Sequence, residues 1–273
     1  MTLRISKDTA LCMSLSGRPG NFGTRFHNFL YEELSLDFVY KAFSTRDLRA
    51  AIAGIRALGI RGCAVSMPFK EACIEFLDEL DASASAIQSV NTIVNRDGKL
   101  CAYNTDYAAV ASLLASHGVS TSSTFALRGS GGMAKAVACA MRDAGFRSGR
   151  IVARNAATGR ALADLCGFEW SADIGSNRPA LLVNVTPIGM TGAPEAEELA
   201  FALDVIEDAQ VVFDVVAVPP ETPLIRAARA RGKMVITGAQ VIVLQAVEQF
   251  VLYTGVRPNA EQIARAATFA LSR

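Results

Sequence analysis

The chain alternates short apolar, β-branched runs with longer stretches of helical period, and it does so in two successive series. That alternation dictates an α/β fold, because strands joined through helices pair in parallel and need helices to cover both faces. In the first series it predicts strands near 9–13, 38–43 and 62–66, with helices near 23–34 and 46–58. Thr45-Arg-Asp-Leu48 reads as a capped helix start. Asn91-Thr-Ile-Val-Asn95 and Lys99-Leu-Cys-Ala-Tyr103 then flank Arg96-Asp97-Gly98, the pattern of a hairpin with a glycine turn. The first sheet is therefore expected to be mixed, closed by an antiparallel pair. After the polar connection Ser120-Thr-Ser-Ser-Thr124, strands recur near 124–128, 150–153, 181–185, 211–215 and 233–237. Between them lie alanine-rich helical segments such as Met133 to Ala144 and Ala157 to Cys166. This is a βαβ succession of mononucleotide-binding type. From about Val241 the chain is helical again, ending in a helix near Ala260 to Leu271. These helices have no strand to cross to, so they are expected to return and cover the first domain.

With 273 residues, 51% of them hydrophobic, the chain can fill a large core. Its 27 Lys plus Arg against 26 Asp plus Glu leave no basic stripe for nucleic acid or for an anionic membrane surface. The start lacks the apolar stretch of a signal peptide and no run of eighteen apolar residues occurs, so a soluble, cytoplasmic protein is expected. The six cysteines form no C-x-x-C pair, and only His27 and His117 could assist them, so no metal site is expected. Reduced, structural cysteines fit this composition.

One glycine pattern carries chemistry. Thr124-Phe-Ala-Leu-Arg128 runs into Gly129-Ser130-Gly131-Gly132-Met133-Ala134 and on into an alanine-rich helix. Gly129 permits the tight turn, Gly131 lets backbone N–H groups approach a pyrophosphate, and Ala134 allows close helix packing. At the end of the next strand a protein selecting NAD carries Asp or Glu for the ribose 2′-hydroxyl. Here Arg150-Ile-Val-Ala-Arg154-Asn155 offers a guanidinium instead, which suits a 2′-phosphate and hence NADP. A solvated arginine at a strand end is the competing interpretation of Arg154.

A second constellation surrounds Cys63-Ala-Val-Ser-Met-Pro-Phe-Lys70, a strand-like run ending in a hydroxyl, a proline and a lysine. By residue type alone Lys70 is either solvated or a proton carrier, and Asp106 either caps a helix or works beside it. Lys70, Asn91 and Asp106 all fall near ends of strand-like runs, next to a nucleotide domain. Oxidising a secondary alcohol requires loss of its hydroxyl proton, which a positioned lysine accepts while a carboxylate orients the hydroxyl. Burial lowers a lysine pKa and a nearby carboxylate raises it, and the sequence leaves that balance open. Ser14, Ser16, Ser66 and Gln245 can fix further oxygens of a small, hydroxylated substrate.

Taken in order along the chain, Ser14-Leu-Ser16, His27-Asn28, Val65-Ser-Met-Pro-Phe-Lys70-Glu71, Val90-Asn91-Thr92 and Asn104-Thr105-Asp106 resemble the shikimate dehydrogenase family, in particular its divergent shikimate dehydrogenase-like branch. So do Gly129-Ser-Gly-Gly132, Asn184-Val-Thr-Pro-Ile-Gly-Met190, Thr222-Pro223-Leu224 and Gln245. The resemblance spans almost the whole chain. It implies an α/β protein of two domains: a mixed-sheet substrate domain, 1–106 with 240–273, and a Rossmann doubly wound NADP domain, 107–239, facing each other across a cleft. It implies NADP-dependent interconversion of shikimate and 3-dehydroshikimate, with Lys70 and Asp106 as the catalytic pair. Ser14 and Ser16 would then bind the substrate carboxylate, and Ser66, Asn91 and Gln245 its ring hydroxyls. Thr186 and Met190 would lie along the cofactor and Gly238 near its nicotinamide.

The chain also departs from the family. The segment between Ser16 and His27 is longer than usual, and Ala153-Arg154-Asn155-Ala-Ala-Thr158 keeps one adenine-side arginine of two, with Arg160 a candidate substitute. Ala217 stands where the family commonly has a pocket tyrosine, and Gln240-Val241 replaces a Gly-Met pair. Quinate, or another hydroxylated ring carboxylate, is the alternative substrate. A binding protein with little turnover is the alternative of another class, and a folate dehydrogenase is disfavoured by the serine pair and Asn104-Thr-Asp106. Monomer and homodimer both remain open.

Overall fold

The computed structural model describes residues 5–272. They divide into two compact units, one that runs up to Thr105 and resumes at Val243, and one formed by Asp106–Ile242.

The first unit opens with β1 (Ala10–Leu15), α1 (Phe22–Glu33), β2 (Phe38–Phe43), α2 (Leu48–Ala57) and β3 (Gly62–Val65). A one-turn α3 (Phe69–Ala72), β4 (Glu79–Leu80), α4 (Ala82–Ser85) and the hairpin β5 (Thr92–Arg96) and β6 (Lys99–Tyr103) follow. The six strands order as β2-β1-β3-β5-β6-β4. β1 pairs in parallel with β2 and β3, whereas β5 runs antiparallel to both β3 and β6, so the sheet is mixed as expected. The hairpin turns at Asp97 and Gly98, both at positive φ, and Asn95 Oδ1 accepts from Gly98 N at 2.8 Å. β1 runs on through Ser14 to Leu15, further than the apolar run alone indicated.

The second unit holds α5 (Thr105–Ser116), β7 (Phe125–Arg128), α6 (Gly132–Ala144), β8 (Gly149–Val152), α7 (Ala156–Cys166), β9 (Glu169–Ser171) and β10 (Leu181–Asn184). It continues with α8 (Leu203–Asp208), β11 (Val211–Asp214), α9 (Pro223–Ala230) and β12 (Met234–Thr237). All pairings are parallel, in the order β12-β11-β10-β7-β8-β9. The chain starts at the middle, winds outward through β8 and β9, then returns to build the other half. That is the doubly wound Rossmann arrangement, with its crevice outside the carboxyl ends of β7 and β10.

α10 (Gly238–Thr254) starts in the second unit and ends in the first, and α11 (Ala260–Leu271) packs on α1. The first sheet is thus covered on one side by a core including Ile52, Ile55 and Ile93, and on the other by Phe26, Tyr31, Phe250 and Tyr253. Gly62 belongs to this packing, since a Cβ there would overlap the Tyr253 ring. Among the described residues no helix is long and apolar enough to cross a membrane.

Candidate active site

Because β1 and β3 are parallel and β5 is antiparallel to β3, the carboxyl ends of β1 and β3 and the start of β5 fall at one edge of the first sheet. That edge gathers Ser14, Ser16, Ser66 and Asn91. Ser66 N donates to Leu15 O at 2.9 Å, Val65 N to Asn91 O at 2.7 Å and Gly17 N to Met67 O at 2.9 Å, so the three segments lie side by side. Ser14 lies beside the buried Tyr40 hydroxyl, whose titration burial pushes up. Ser16 is only 6% exposed, yet its Oγ finds no partner among the described residues. A buried hydroxyl without a partner is costly to a fold and is one mark of a ligand position. Lys70 sits in α3, and its carbonyl accepts from Val90 N at 2.8 Å, which fixes its backbone beside the strand carrying Asn91.

Asn91, 3% exposed, is the centre of a buried polar network. Its Oδ1 accepts from Thr105 N and from Thr92 Oγ1, both at 2.8 Å, while its Nδ2 donates to Thr105 Oγ1 at 3.0 Å. Gln249 Nε2 donates to Thr92 Oγ1 at 3.1 Å, and Thr105 Oγ1 reaches Gln245 Oε1 at 3.5 Å. An amide nitrogen carries two hydrogens and the Thr105 bond uses one. Sequence reading identified Asn91 and Gln245 but missed Thr92, Thr105 and Gln249, which orient them. Asp106 lies in the first turn of α5, where a helix favours negative charge, and is counted with the second unit.

In the second unit the glycine loop joins β7 to α6 at the carboxyl edge of the sheet. Gly129 has φ +126°, and a Cβ there would come within 2.8 Å of Val185 Cγ2, so only glycine fits. Gly131 precedes α6 with no side-chain cap, and a Cβ built on it meets nothing within 4 Å. A ligand can therefore approach the backbone at Gly131 closely, where the first N–H groups of a helix lack intrahelical partners and favour a phosphate. Ala134 is fully buried, as close helix packing requires. Ser130 Oγ and Thr158 Oγ1 lie 2.8 Å apart, tying the glycine loop to α7, and Asn155 caps α7 by accepting from Ala157 N and Thr158 N.

Arg154 follows β8 and is exposed. Arg160 has its guanidinium stacked 4.1 Å from the centre of the Trp170 ring. The arginine that feels Arg154 is Arg128, held below its ordinary pKa first by burial and then by the Arg154 charge, with Asp173 opposing. Shape and donor set at this edge fit a nucleotide with an extra phosphate. Thr186 Oγ1 donates to Asn184 Oδ1 at 2.6 Å. Asn184 Nδ2 in turn donates to Asp214 Oδ1 at 3.0 Å, and Thr222 Oγ1 to Asp214 Oδ2 at 2.6 Å. This network shapes the Thr186–Met190 loop, whose Met190 is 39% exposed. Burial pushes the Asp214 carboxyl up to about 6 against those hydrogen bonds. Gly238 is dictated by packing, since a Cβ would collide with the Val216 carbonyl. Gln240, in the neighbouring departure from the family, caps α10: its Oε1 accepts from Thr237 N at 2.9 Å.

All six cysteines are buried thiols, and no group of three or more metal-ligating side chains occurs among the described residues. A cavity of about 500 Å³ between Arg147, Arg150 and Arg178 opens at the amino ends of β7 and β8, away from the glycine loop.

A doubly wound parallel sheet with such a loop, in one chain with a mixed-sheet unit that has a polar edge, defines a two-domain α/β protein of the dinucleotide-binding class. Residues 22–93 match the model of the shikimate dehydrogenase substrate binding domain. The chain is 58% identical over 269 residues to a shikimate dehydrogenase-like protein of Haemophilus influenzae, covering 98% of this chain and 99% of the relative. It is 35% identical over 263 residues to the shikimate dehydrogenase (NADP(+)) of Prosthecochloris aestuarii, covering 89% and 91%. The solved shikimate 5-dehydrogenase of Thermus thermophilus, in complex with NADP(H) and shikimate, superposes with a TM-score of 0.85 at 29% identity, covering 96% and 100%. The chain belongs to the shikimate dehydrogenase family.

Proposed function

We propose that this protein interconverts shikimate and 3-dehydroshikimate with NADP, using Lys70 and Asp106 as the proton-transfer pair. The observation that carries the reading is the shared sheet edge of Ser14, Ser16, Ser66 and Asn91, with a buried serine hydroxyl that has no partner among the described residues. Family membership and the relative solved with NADP(H) and shikimate support the same reaction. NADP supplies the hydride acceptor. Gly131 and the first N–H groups of α6 would hold its pyrophosphate, and Arg154 would hold the 2′-phosphate. Ser14 and Ser16 donate to the substrate carboxylate, while Ser66, Asn91 and Gln245 hold the ring hydroxyls. The remaining amide hydrogen of Asn91 is suited to that, because Thr105 and Thr92 fix the amide plane. Lys70 takes the hydroxyl proton as hydride leaves the carbon, and Asp106 accepts a hydrogen bond that orients the hydroxyl.

Steady-state assays with NADP and NAD against shikimate, quinate and their dehydro forms test the assignment. Highest kcat/KM with shikimate and NADP is expected. Higher kcat/KM with quinate would transfer the assignment to that substrate, in keeping with the small Ala217, and no reaction with any pair would favour a binding protein. Lys70→Met should lower kcat by about 100-fold or more while leaving NADPH affinity intact, as loss of a general acid or base does. Unchanged kcat at saturation would remove Lys70 from the mechanism.

A further inference from the structure

Arg128 occupies a position where a guanidinium is expensive. It is the last residue of β7, immediately before Gly129, in the central strand of the parallel sheet. Strand alternation turns it to the face of Ala126, whose neighbours include Val152, Leu182 and Phe201. Its guanidinium carbon lies 5.4 Å from the centre of the buried Phe201 ring. Nε is buried and has no hydrogen-bond partner among the described residues. No carboxylate forms an ion pair with it among them either, and the charge of another cation, Arg154, acts on it more strongly than the opposing Asp173 carboxylate. Two guanidiniums whose fields overlap, one with an unsatisfied buried N–H, destabilise the protein unless an anion sits between them.

The anion that fits is fixed by position. Arg128 ends β7 and Arg154 follows β8, the adjacent strand, with Arg128 paired to Val152. Both lie at the edge that carries the glycine loop, on the side where the second strand of such a sheet meets the adenosine ribose. Arg160, the other candidate for this charge, is held over Trp170. We propose that Arg128 is a specificity-determining residue for the cofactor, its guanidinium joining that of Arg154 to grip the phosphate on the adenosine ribose. The proposal rests on the NADP reading above. It explains how the chain compensates for the missing adenine-side arginine: the second fork comes from the strand before the glycine loop rather than from α7. A phosphate dianion accepts from two planar forks at once, and neutralises the pair that repels in its absence.

Calorimetric titration of the full chain with NADPH, NADH and adenosine 2′,5′-bisphosphate tests this without turnover. Arg128→Met should weaken NADPH and the bisphosphate about tenfold or more, the scale of one lost charge-assisted bond, and leave NADH unchanged. Its melting temperature without ligand should equal or exceed that of the parent, because the buried unpaired N–H is gone. Arg128→Gln carries the same comparison should the methionine variant fail to fold. Equal weakening of NADPH and NADH would assign Arg128 to the pyrophosphate or to the fold, and unchanged NADPH affinity would leave Arg154 alone at the phosphate; either overturns the proposal. If the parent itself binds NADH as tightly as NADPH, the NADP reading falls and this proposal with it. A parent that prefers NADPH beside a variant that keeps the preference overturns the Arg128 assignment only.

Discussion

Thr222 shows how much one hydroxyl can hold. It caps α9 by accepting from Ile225 N at 3.2 Å, and it donates to the buried Asp214 carboxylate at 2.6 Å. Through Asp214 it supports Asn184 and hence the loop carrying Thr186. Thr222→Val keeps the shape and removes both bonds, so urea unfolding should show a loss of about 2–4 kcal/mol, while Thr222→Ser should recover most of it. In the sequence Thr222 stood out only as part of a family motif, and its partner Asp214 had no signal of its own. Arg154 was visible because its place after a strand is set by the glycine pattern. Arg128 was not, since an arginine before a glycine loop differs from a solvated one only by what surrounds it in space.

At the scale of elements, the clearest case of local instruction is α11. Asn259 Oδ1 accepts from Gln262 N and Gln262 Oε1 accepts from Asn259 N, both at 2.9 Å, closing a capping box. Asn259→Ala should lower stability by about 1 kcal/mol, measured as a shift in the thermal midpoint, with no change in cofactor binding. Elements with such local signals were legible: β2, α1, α2, the hairpin and each strand of the second sheet except β9. β4 and β9 escaped because two and three residues are too few to show a period, and only their neighbours β6 and β8 make them strands. The placement of the candidate site residues was legible where motif and strand end coincide, at Ser14, Ser66, Asn91 and the glycine loop. It was not legible where α10 closes the network, since Gln249 meets Thr92 across 157 positions of sequence.

For the molecule as a whole, each unit carries one buried titratable group, and the two make stability depend on pH in opposite directions. In the first unit His27 is fully buried, stacked 4.5 Å from Tyr40, and burial lowers its pKa from 6.5 to about 3, against Gln249. The unfolded chain therefore binds a proton below pH 6.5 that the folded one refuses, and stability falls between about pH 6.5 and 3 by up to about 1.4 kcal/mol per pH unit. In the second unit Asp214 is raised from 3.8 to about 6, so its contribution is complete below pH 3.8 and is lost as pH rises through about 6. Lowering the pH from 6.5 to 4 should move the first unit's thermal transition down and the second unit's up. The single tryptophan, Trp170, lies in the second unit, so its fluorescence follows that unit alone while circular dichroism follows both. In His27→Phe the downward shift should shrink; equal shifts in parent and variant would show that His27 is not the group responsible. The two short strands have a consequence for this chain in concentrated solution. Each sheet ends on one side in a strand of two or three residues, and these carry Glu79 paired with Lys99 and Glu169 paired with Arg150. A second molecule finds there too little unpaired backbone to extend the sheet, and charge where it would have to dock, so those borders resist the strand-to-strand stacking that begins fibril growth.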